Sequence, residues 1–345
     1  MQVNLISDTV TRPSESMQQS MWMAEVGDDV FKEDPSVNEL EATVAKMFAK
    51  EAALFFPSGT MANQTAIKIH TQAGDQLICD RTAHVYNYEG GGVSFNSGVS
   101  CKLLDGDQGR ITATQVLSAI NPPDFYHSPR TRLVCLENTT NKGGGACYEM
   151  AEIEKIAQVC HQNELKLHLD GARLWNALVD CPEQTTIFGG LFDTISVCFS
   201  KGLGCPVGSA LVGSKEAIDA ALRIRKVFGG GMRQAGYLAA AALYAIDHQW
   251  MDLKSDHRRA REIGQALATA PGIAEVLPVH TNIIIFRLEE SLETPSFLSL
   301  MKSKGIQLIA MDAHTLRMVT HRDYTEEQHQ YVLEKINGTN FLEIA

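Results

Sequence analysis

The sequence predicts an α/β protein: a mainly parallel sheet covered on both faces by helices, followed by a smaller carboxyl-terminal α+β domain. Short apolar runs alternate with amphipathic segments over the first 250 or so residues. This is the pattern of strand–helix–strand units, whose strands are buried on both faces and read as unbroken apolar stretches. Two of these runs end in a charged residue just before a glycine turn, at Asp170-Gly171 and at Lys201-Gly202. In open α/β sheets that carboxyl edge is where ligands bind. Beyond the 248–252 region the pattern changes to strands and helices of a separate unit.

Taken in order, residues 1–14 form an amino-terminal arm, and its polar segment from Ser7 to Pro13 reads by itself as frayed. Pro35-Ser36-Val37-Asn38-Glu39 opens a helix, with Ser36 as its cap and Glu39 three residues on. Val37, Leu40, Val44, Met47 and Phe48 fall on one face of it. Strands are expected at 53–56, 76–80, 132–137, 165–170, 194–199 and 209–212, with helices at 61–71, 150–163 and 215–226 between several of them. Two further helices, 233–249 and 252–269, bracket the domain boundary. The large domain is thus 15–249 and the small one 250–345. The small domain is expected to hold strands at 282–288, 306–311 and 315–319, and helices at 295–304 and 325–335. The chain lacks internal repeats and low-complexity tracts.

Composition narrows the function classes. The formal net charge is −11, which argues against a general nucleic-acid binder but leaves room for a small anionic ligand at a local positive site. No run of 18 apolar residues suggests a membrane span, and the first residues lack the basic start and long apolar stretch of a signal peptide. The eight cysteines are scattered among apolar residues, as expected for buried free thiols in a cytoplasmic protein. None form a CxxC pair, so no metal site is expected.

The candidate chemistry centres on Lys201 and Asp170. A lysine and an aspartate leaving neighbouring strands are what pyridoxal phosphate requires. The amine forms a Schiff base with the cofactor aldehyde, and the carboxylate keeps the pyridine nitrogen protonated. Pro57-Ser58-Gly59-Thr60 follows an apolar run and enters a helix, so its backbone N–H groups, with the hydroxyls of Ser58 and Thr60, can receive a phosphate. Gly229-Gly230-Gly231-Met232-Arg233 places a cation at an expected helix start, where an anion would offset its unfavourable position. His84 follows a strand and can stack on a planar cofactor or move protons near neutral pH.

Eight stretches, in family order, resemble the pyridoxal-phosphate-dependent threonine aldolases of low specificity, in the aspartate-aminotransferase superfamily (fold type I). They begin at Ser7-Asp8-Thr9-Val10-Thr11 and Gly27-Asp28-Asp29-Val30. The phosphate turn up to Asn63, Leu136-Glu137-Asn138-Thr139 and His168-Leu169-Asp170-Gly171-Ala172-Arg173 follow. Ser200-Lys201-Gly202-Leu203-Gly204, the triple-glycine stretch up to Gln234, and Leu316-Arg317-Met318-Val319-Thr320-His321 complete the set. The resemblance implies a seven-stranded type of sheet in a large cofactor-binding domain. It also implies reversible retro-aldol cleavage of L-threonine or L-allo-threonine to glycine and an aldehyde. A related β-eliminating lyase or an aminotransferase is the alternative. Lys201 is then the Schiff-base lysine and Asp170 the partner of the ring nitrogen, with His84 stacked on the ring. Gly59 and Thr60 hold the phosphate, which Arg233 reaches from a neighbouring subunit. Arg173 lies near the cofactor's phenolic oxygen and the substrate carboxylate, which Arg317 and Ser7 bind. His127 falls near the substrate hydroxyl. His84, His127 and a bound water are the candidate bases. A homodimer is the smallest active unit, and tetramers are common in such families. Two departures stand out: Phe31 replaces a common tyrosine, and Thr140 replaces a common histidine before the loop Lys142-Gly143-Gly144-Gly145.

Overall fold

Seven strands form the central sheet of the computed structural model, which describes residues 1–344. A short β1 (Val3–Asn4) precedes them. They are β2 (Ala52–Phe56), β3 (Gln76–Asp80), β4 (Ser100–Leu104), β5 (Thr131–Glu137), β6 (Lys166–Gly171), β7 (Thr194–Cys198) and β8 (Ser209–Gly213). Their order across the sheet is β2-β8-β7-β6-β5-β3-β4. Only β8 runs antiparallel to its neighbours. Because β2 and β7 both oppose β8, they point the same way, and the carboxyl ends of β2, β3, β5, β6 and β7 share one edge. β7 and β8 are buried at every residue, so they read as continuous apolar runs.

The six expected strands of this sheet are present to within a residue at each end. The seventh, β4, gave no signal. It lies at the sheet margin with one neighbour, its residues are half-buried or exposed, and its sequence carries a lysine and a serine. The 35–47 helix starts two residues earlier than its expected cap implied. Asp34 accepts the Val37 N–H and Pro35 occupies the first helical position, while the Ser36 hydroxyl donates to the Glu25 carbonyl instead.

The carboxyl-terminal unit holds β9 (Ile273–Val276), β10 (Ile283–Leu288), β11 (Ile306–Gln307), β12 (Ile309–Ala310) and β13 (Thr315–Val319). Four of them form an antiparallel sheet in the order β12-β13-β10-β9. The single strand expected at 306–311 is therefore two. β11 pairs with β1, and β12 pairs with β13. That pairing corrects the reading of the amino terminus. The segment from Ser7 to Pro13 is not frayed, because β1 before it runs parallel to β11, Val3 and Leu5 lie buried in the core of the small unit, and Asp8 and Thr11 bond to Arg173 and to the Lys201 carbonyl. The Leu253–Ala268 helix ties the two units together. Leu253 packs into the large core, while Ala260, Ile263 and Leu267 pack into the small one. Among the described residues no helix is long and apolar enough to cross a membrane.

Candidate active site

The shared carboxyl edge gathers the predicted residues. Lys201 lies three residues beyond the end of β7, Asp170 is the penultimate residue of β6, His84 follows β3, and Ser58 follows β2. They line two adjoining cavities. One, of ≈ 250 Å³, is bounded by residues that include Ser58, Gly59, Thr60, Asn63, Asp170 and Cys198. The other, of ≈ 480 Å³, is bounded by residues that include Ser7, Tyr88, Asn141, Lys142, Arg173 and Arg317. His84 and Lys201 border both, so the two cavities are lobes of one cleft that meet at an imidazole and an amine.

In the smaller lobe, Asp170 is buried. Its Oδ1 accepts the Ala172 N–H at 3.1 Å, and its Oδ2 has no hydrogen-bond partner. A buried carboxylate oxygen left this way is expensive unless a ligand supplies the donor. The Gly59–His70 helix starts at this lobe, capped by Ser58, whose hydroxyl accepts the Met61 N–H. A Cβ at Gly59 would stand 2.6 Å from Cys198 Sγ, so the close approach of the helix start to β7 requires glycine. The Lys201 amine lies 4.0 Å from the same sulfur. Its carbonyl oxygen accepts the Thr11 hydroxyl, which fixes the lysine backbone to the amino-terminal segment.

The larger lobe is cationic. Arg173 is buried and donates from Nε and Nη2 to the two oxygens of Asp8, each at 2.8 Å. Burial pushes the Asp8 carboxyl up, but the charge and hydrogen bonds of Arg173, helped by Lys201, hold it well below the usual carboxylate range. Asn141 Oδ1 accepts from Arg317 Nη1 at 2.9 Å and from Arg173 Nη1 at 3.4 Å, and so holds two guanidiniums together. Arg317 Nη2 reaches the Ile6 carbonyl, and its Nε is buried with no partner. Burial and the neighbouring Arg173 charge both push the Arg317 guanidinium below its ordinary value. Among the described residues no carboxylate forms a salt bridge with it, so an anion entering this lobe would relieve both penalties. Asp8 and Asn141 were not singled out as site residues in the sequence. Asp8 lies within a recognised stretch, but its partner is 165 residues away.

Carboxylates crowd the meeting point of the lobes. Glu137 Oε2 accepts the His84 backbone N–H at 2.7 Å, and Oε1 accepts the Asn141 N–H at 2.7 Å. Burial first, then the Asp170 charge, pushes the Glu137 carboxyl up to about 7. Behind Asp170, His168 is buried against Asn63 and Thr194, and burial lowers its imidazole to about 4. An imidazole whose folded value lies below its unfolded one stabilises the protein above the unfolded value. That stability is lost as pH falls from 6.5 toward 4. Asp256, raised to about 8, and Glu137 run the other way, so the wild-type pH slope mixes signs. The difference between variants isolates one group. His168→Gln is expected to gain about 3 kcal/mol relative to wild type between pH 6.5 and 4. A difference in urea stability that stays constant over this range rules the assignment out.

Two predicted residues lie elsewhere within the chain. His127 sits in the loop that enters β5 at Thr131, at the sheet edge opposite Glu137 and Asp170. Its ring packs beside Tyr126 at 3.9 Å and Phe125 at 5.2 Å, exposed to solvent. The chain therefore does not bring His127 to its own cleft. Arg233 precedes its helix, which begins at Gly236 rather than at 233, and it is half exposed with Nη1 on Asp28 Oδ2 at 2.8 Å. It does not line the smaller lobe of its own chain. Phe31 is exposed at 68%, and Thr140 is buried inside its loop rather than facing the cleft.

Residues 4–291 match the family described as beta-eliminating lyase. The chain is 40% identical over 339 residues to low-specificity L-threonine aldolase 1 of Arabidopsis thaliana, covering 96% of this chain and 94% of that protein. It is 38% identical over 327 residues to the low specificity L-threonine aldolase of Escherichia coli strain K12, covering 94% and 96% respectively. Its fold superposes on Leishmania major threonine aldolase with a TM-score of 0.84 at 20% identity, covering 99% of this chain and 100% of that one.

Proposed function

The chain belongs to the beta-eliminating lyase family, and from that premise we propose that it is a pyridoxal-phosphate-dependent carbon–carbon lyase. It cleaves L-threonine, L-allo-threonine and similar β-hydroxy-α-amino acids, reversibly, to glycine and an aldehyde. The observation that carries this reading is the two-lobed cleft whose lobes meet at Lys201 and His84. Relatives with 38–40% identity over nearly the whole chain carry the name threonine aldolase, which favours aldol cleavage over β-elimination or transamination.

Pyridoxal phosphate fits the smaller lobe. A ring N–H would satisfy the orphaned Asp170 Oδ2. The Ser58–Thr60 turn at a helix start suits its phosphate. Lys201 supplies the amine. When bound, the cofactor provides an aldehyde that condenses with amines and a ring that draws in the electrons of a breaking bond at Cα. Gly59→Ala drives a methyl group against Cys198, which is held in place by the Ser209 hydroxyl at 3.0 Å. Overpacking of this kind costs about 1–3 kcal/mol, so the variant is expected to bind pyridoxal phosphate about five- to 150-fold more weakly. An unchanged affinity in an absorbance titration removes the phosphate turn from the site.

In the larger lobe Arg317, with Ser7 beside it, binds the amino acid's carboxylate. Fixing that group decides which bond at Cα stands upright for cleavage. Arg173, neutralised by Asp8, orients Asn141 and shapes the cation field. His84 takes the hydroxyl proton, since it borders both lobes. His127 and Arg233 act from neighbouring subunits of a homo-oligomer, at least a dimer and by family habit a tetramer. The exposed Trp22, Phe31, Phe95, Tyr126 and Val227 support such assembly. A cytoplasmic setting agrees with the eight free cysteines. Residues 15–249 and 250–345 act as large and small domains, with the 1–14 segment fastened to the latter through β1.

The test is turnover of threonine and allo-threonine side by side, with pyridoxal phosphate present and glycine as the measured product. Pyruvate and ammonia from serine or cysteine, without glycine from either threonine, would overturn the reading.

A further inference from the structure

His84 is held from behind by a carboxylate that the proposed reaction does not use. Glu89 is buried and collects three N–H donors. Asn63 Nδ2 reaches its Oε1 at 2.9 Å, Gln64 Nε2 its Oε2 at 2.6 Å, and His84 Nδ1 its Oε1 at 3.0 Å. A carboxylate accepts only, so each of these nitrogens must carry a hydrogen toward it. The Asn63 amide orientation is fixed from its other side as well. Its Oδ1 accepts the Ser196 hydroxyl at 2.6 Å and faces His168 Nε2 at 3.1 Å. His168 is then protonated on Nε2, and its Nδ1 accepts the Thr194 hydroxyl at 2.9 Å. His70 Nε2, 3.0 Å from that same oxygen, supplies the donor Thr194 lacks. Each of these four links has one donor and one acceptor and runs toward Glu89, and the Thr194 carbonyl, 3.2 Å from His168 Nδ1, is the contact that this polarity leaves without a donor.

We propose that Glu89 is the positioning residue for His84. It holds the Nδ1–H, turns Nε2 toward the junction of the two lobes, and thereby makes Nε2 the atom that exchanges a proton with the substrate hydroxyl. The inference rests on the proposed reaction for its last clause only; the choice of ring nitrogen is a property of the protein itself. His84, Glu89 and Asp170 present ligand atoms within 4.8 Å of one another, a spacing a cation would also accept. The three N–H groups already aimed at Glu89 give it hydrogen-bond work instead.

The charge environment of His84 agrees with this role. Tyr88 and Glu89 face it from its own segment, Glu137 from β5, Asp170 from β6 and Lys201 from beyond β7. Lys142, Arg173 and Arg317 lie across the larger lobe. Burial pushes the imidazole down. The Glu89 hydrogen bond, followed by the Asp170, Glu89 and Glu137 charges, outweighs burial and raises it above its ordinary value.

The experiment is histidine nitrogen NMR on the full chain, loaded with pyridoxal phosphate and then stripped of it, with His84→Asn identifying the His84 signals. In wild type above the titration, the proton is expected on Nδ1. A proton found on Nε2 overturns the proposal without any variant. In Glu89→Gln the His84 proton affinity is expected to fall about tenfold, one pH unit. The acidic limb of kcat/KM should move to lower pH by the same step, and Glu89→Asp should restore much of the wild-type titration. A His84 titration unmoved in Glu89→Gln also overturns the proposal. If wild type yields no glycine from threonine, the functional reading fails, and the nitrogen shifts still decide the part played by Glu89.

Discussion

Lys201→Ala is expected to reduce glycine formation from threonine by at least about 10³-fold, the scale seen when the nucleophile of a covalent mechanism is removed. The size of the effect follows from where the amine stands. Lys201 borders both lobes, and among the described residues it is the only lysine that lines the smaller one. Loss of fold is not expected to confuse the result. The Lys201 carbonyl, not its side chain, receives the Thr11 hydroxyl and the Gly204 N–H, so the turn survives truncation at Cβ. The Ser58–Thr60 turn and Asp170 also remain, so pyridoxal phosphate should still bind, with a changed visible spectrum. Two measurements therefore separate the roles: cofactor affinity by absorbance titration, and glycine release under saturating cofactor. Retained turnover in this variant would sink the cofactor assignment altogether.

The large sheet was legible because its inner strands are buried on both faces. β7 and β8 give their positions away by composition alone. The margins were not. β4 and β9 carry exposed residues on one face or both, so their apolar signal falls to the level of a loop. The amino-terminal segment was misread because its structure is supplied from outside. Val3 and Leu5 are apolar, yet the strand that fixes them lies some 300 residues away at Ile306–Gln307. No local pattern carries that information. The same holds for 306–311, which divides because its two halves pair with different strands.

The site divides along the same line. Lys201, Asp170, His84 and Ser58–Thr60 were visible because each closes or follows a strand, and such ends meet at one edge by topology. Arg317 carried no local signal and came only through family resemblance. Glu89, Asn141 and Asp8 act through partners whose proximity only the fold creates. His127 went the other way. Its place in the sequence fits the family pattern, while β5 carries it to the far edge of the sheet. The directions in which strands run decide this, and single residues do not announce them.

Asp8→Asn is expected to be the most destabilising single change near the cleft, with a cost of about 3–5 kcal/mol, the usual consequence of unpairing one member of a buried ion pair. Asp8 is fully buried and Arg173 is 6% exposed, so solvent screens neither charge. Asparagine keeps the shape and one acceptor, but it leaves the Arg173 guanidinium without a counter-charge. Arg173 and Arg317 then share only Asn141 between them, and their repulsion is no longer balanced. Asp8 also accepts from Asn282 Nδ2 at 3.2 Å, which links the amino-terminal segment to the β10 end of the small unit. The variant should therefore lose urea stability and also raise KM for the amino acid, as Arg317 shifts or loses its charge. The paired change Asp8→Leu with Arg173→Met removes both charges. It should recover much of the stability while activity stays low, because burying neither charge costs less than burying one. The pH dependence has a definite sign. The Asp8 carboxyl is depressed in the folded state, so its contribution is present above its unfolded value near 3.8 and is lost only as pH falls below that. If Asp8→Asn unfolds within about 1 kcal/mol of wild type at neutral pH, the pair does not hold the arm to the cleft, and Arg173 has another source of compensation.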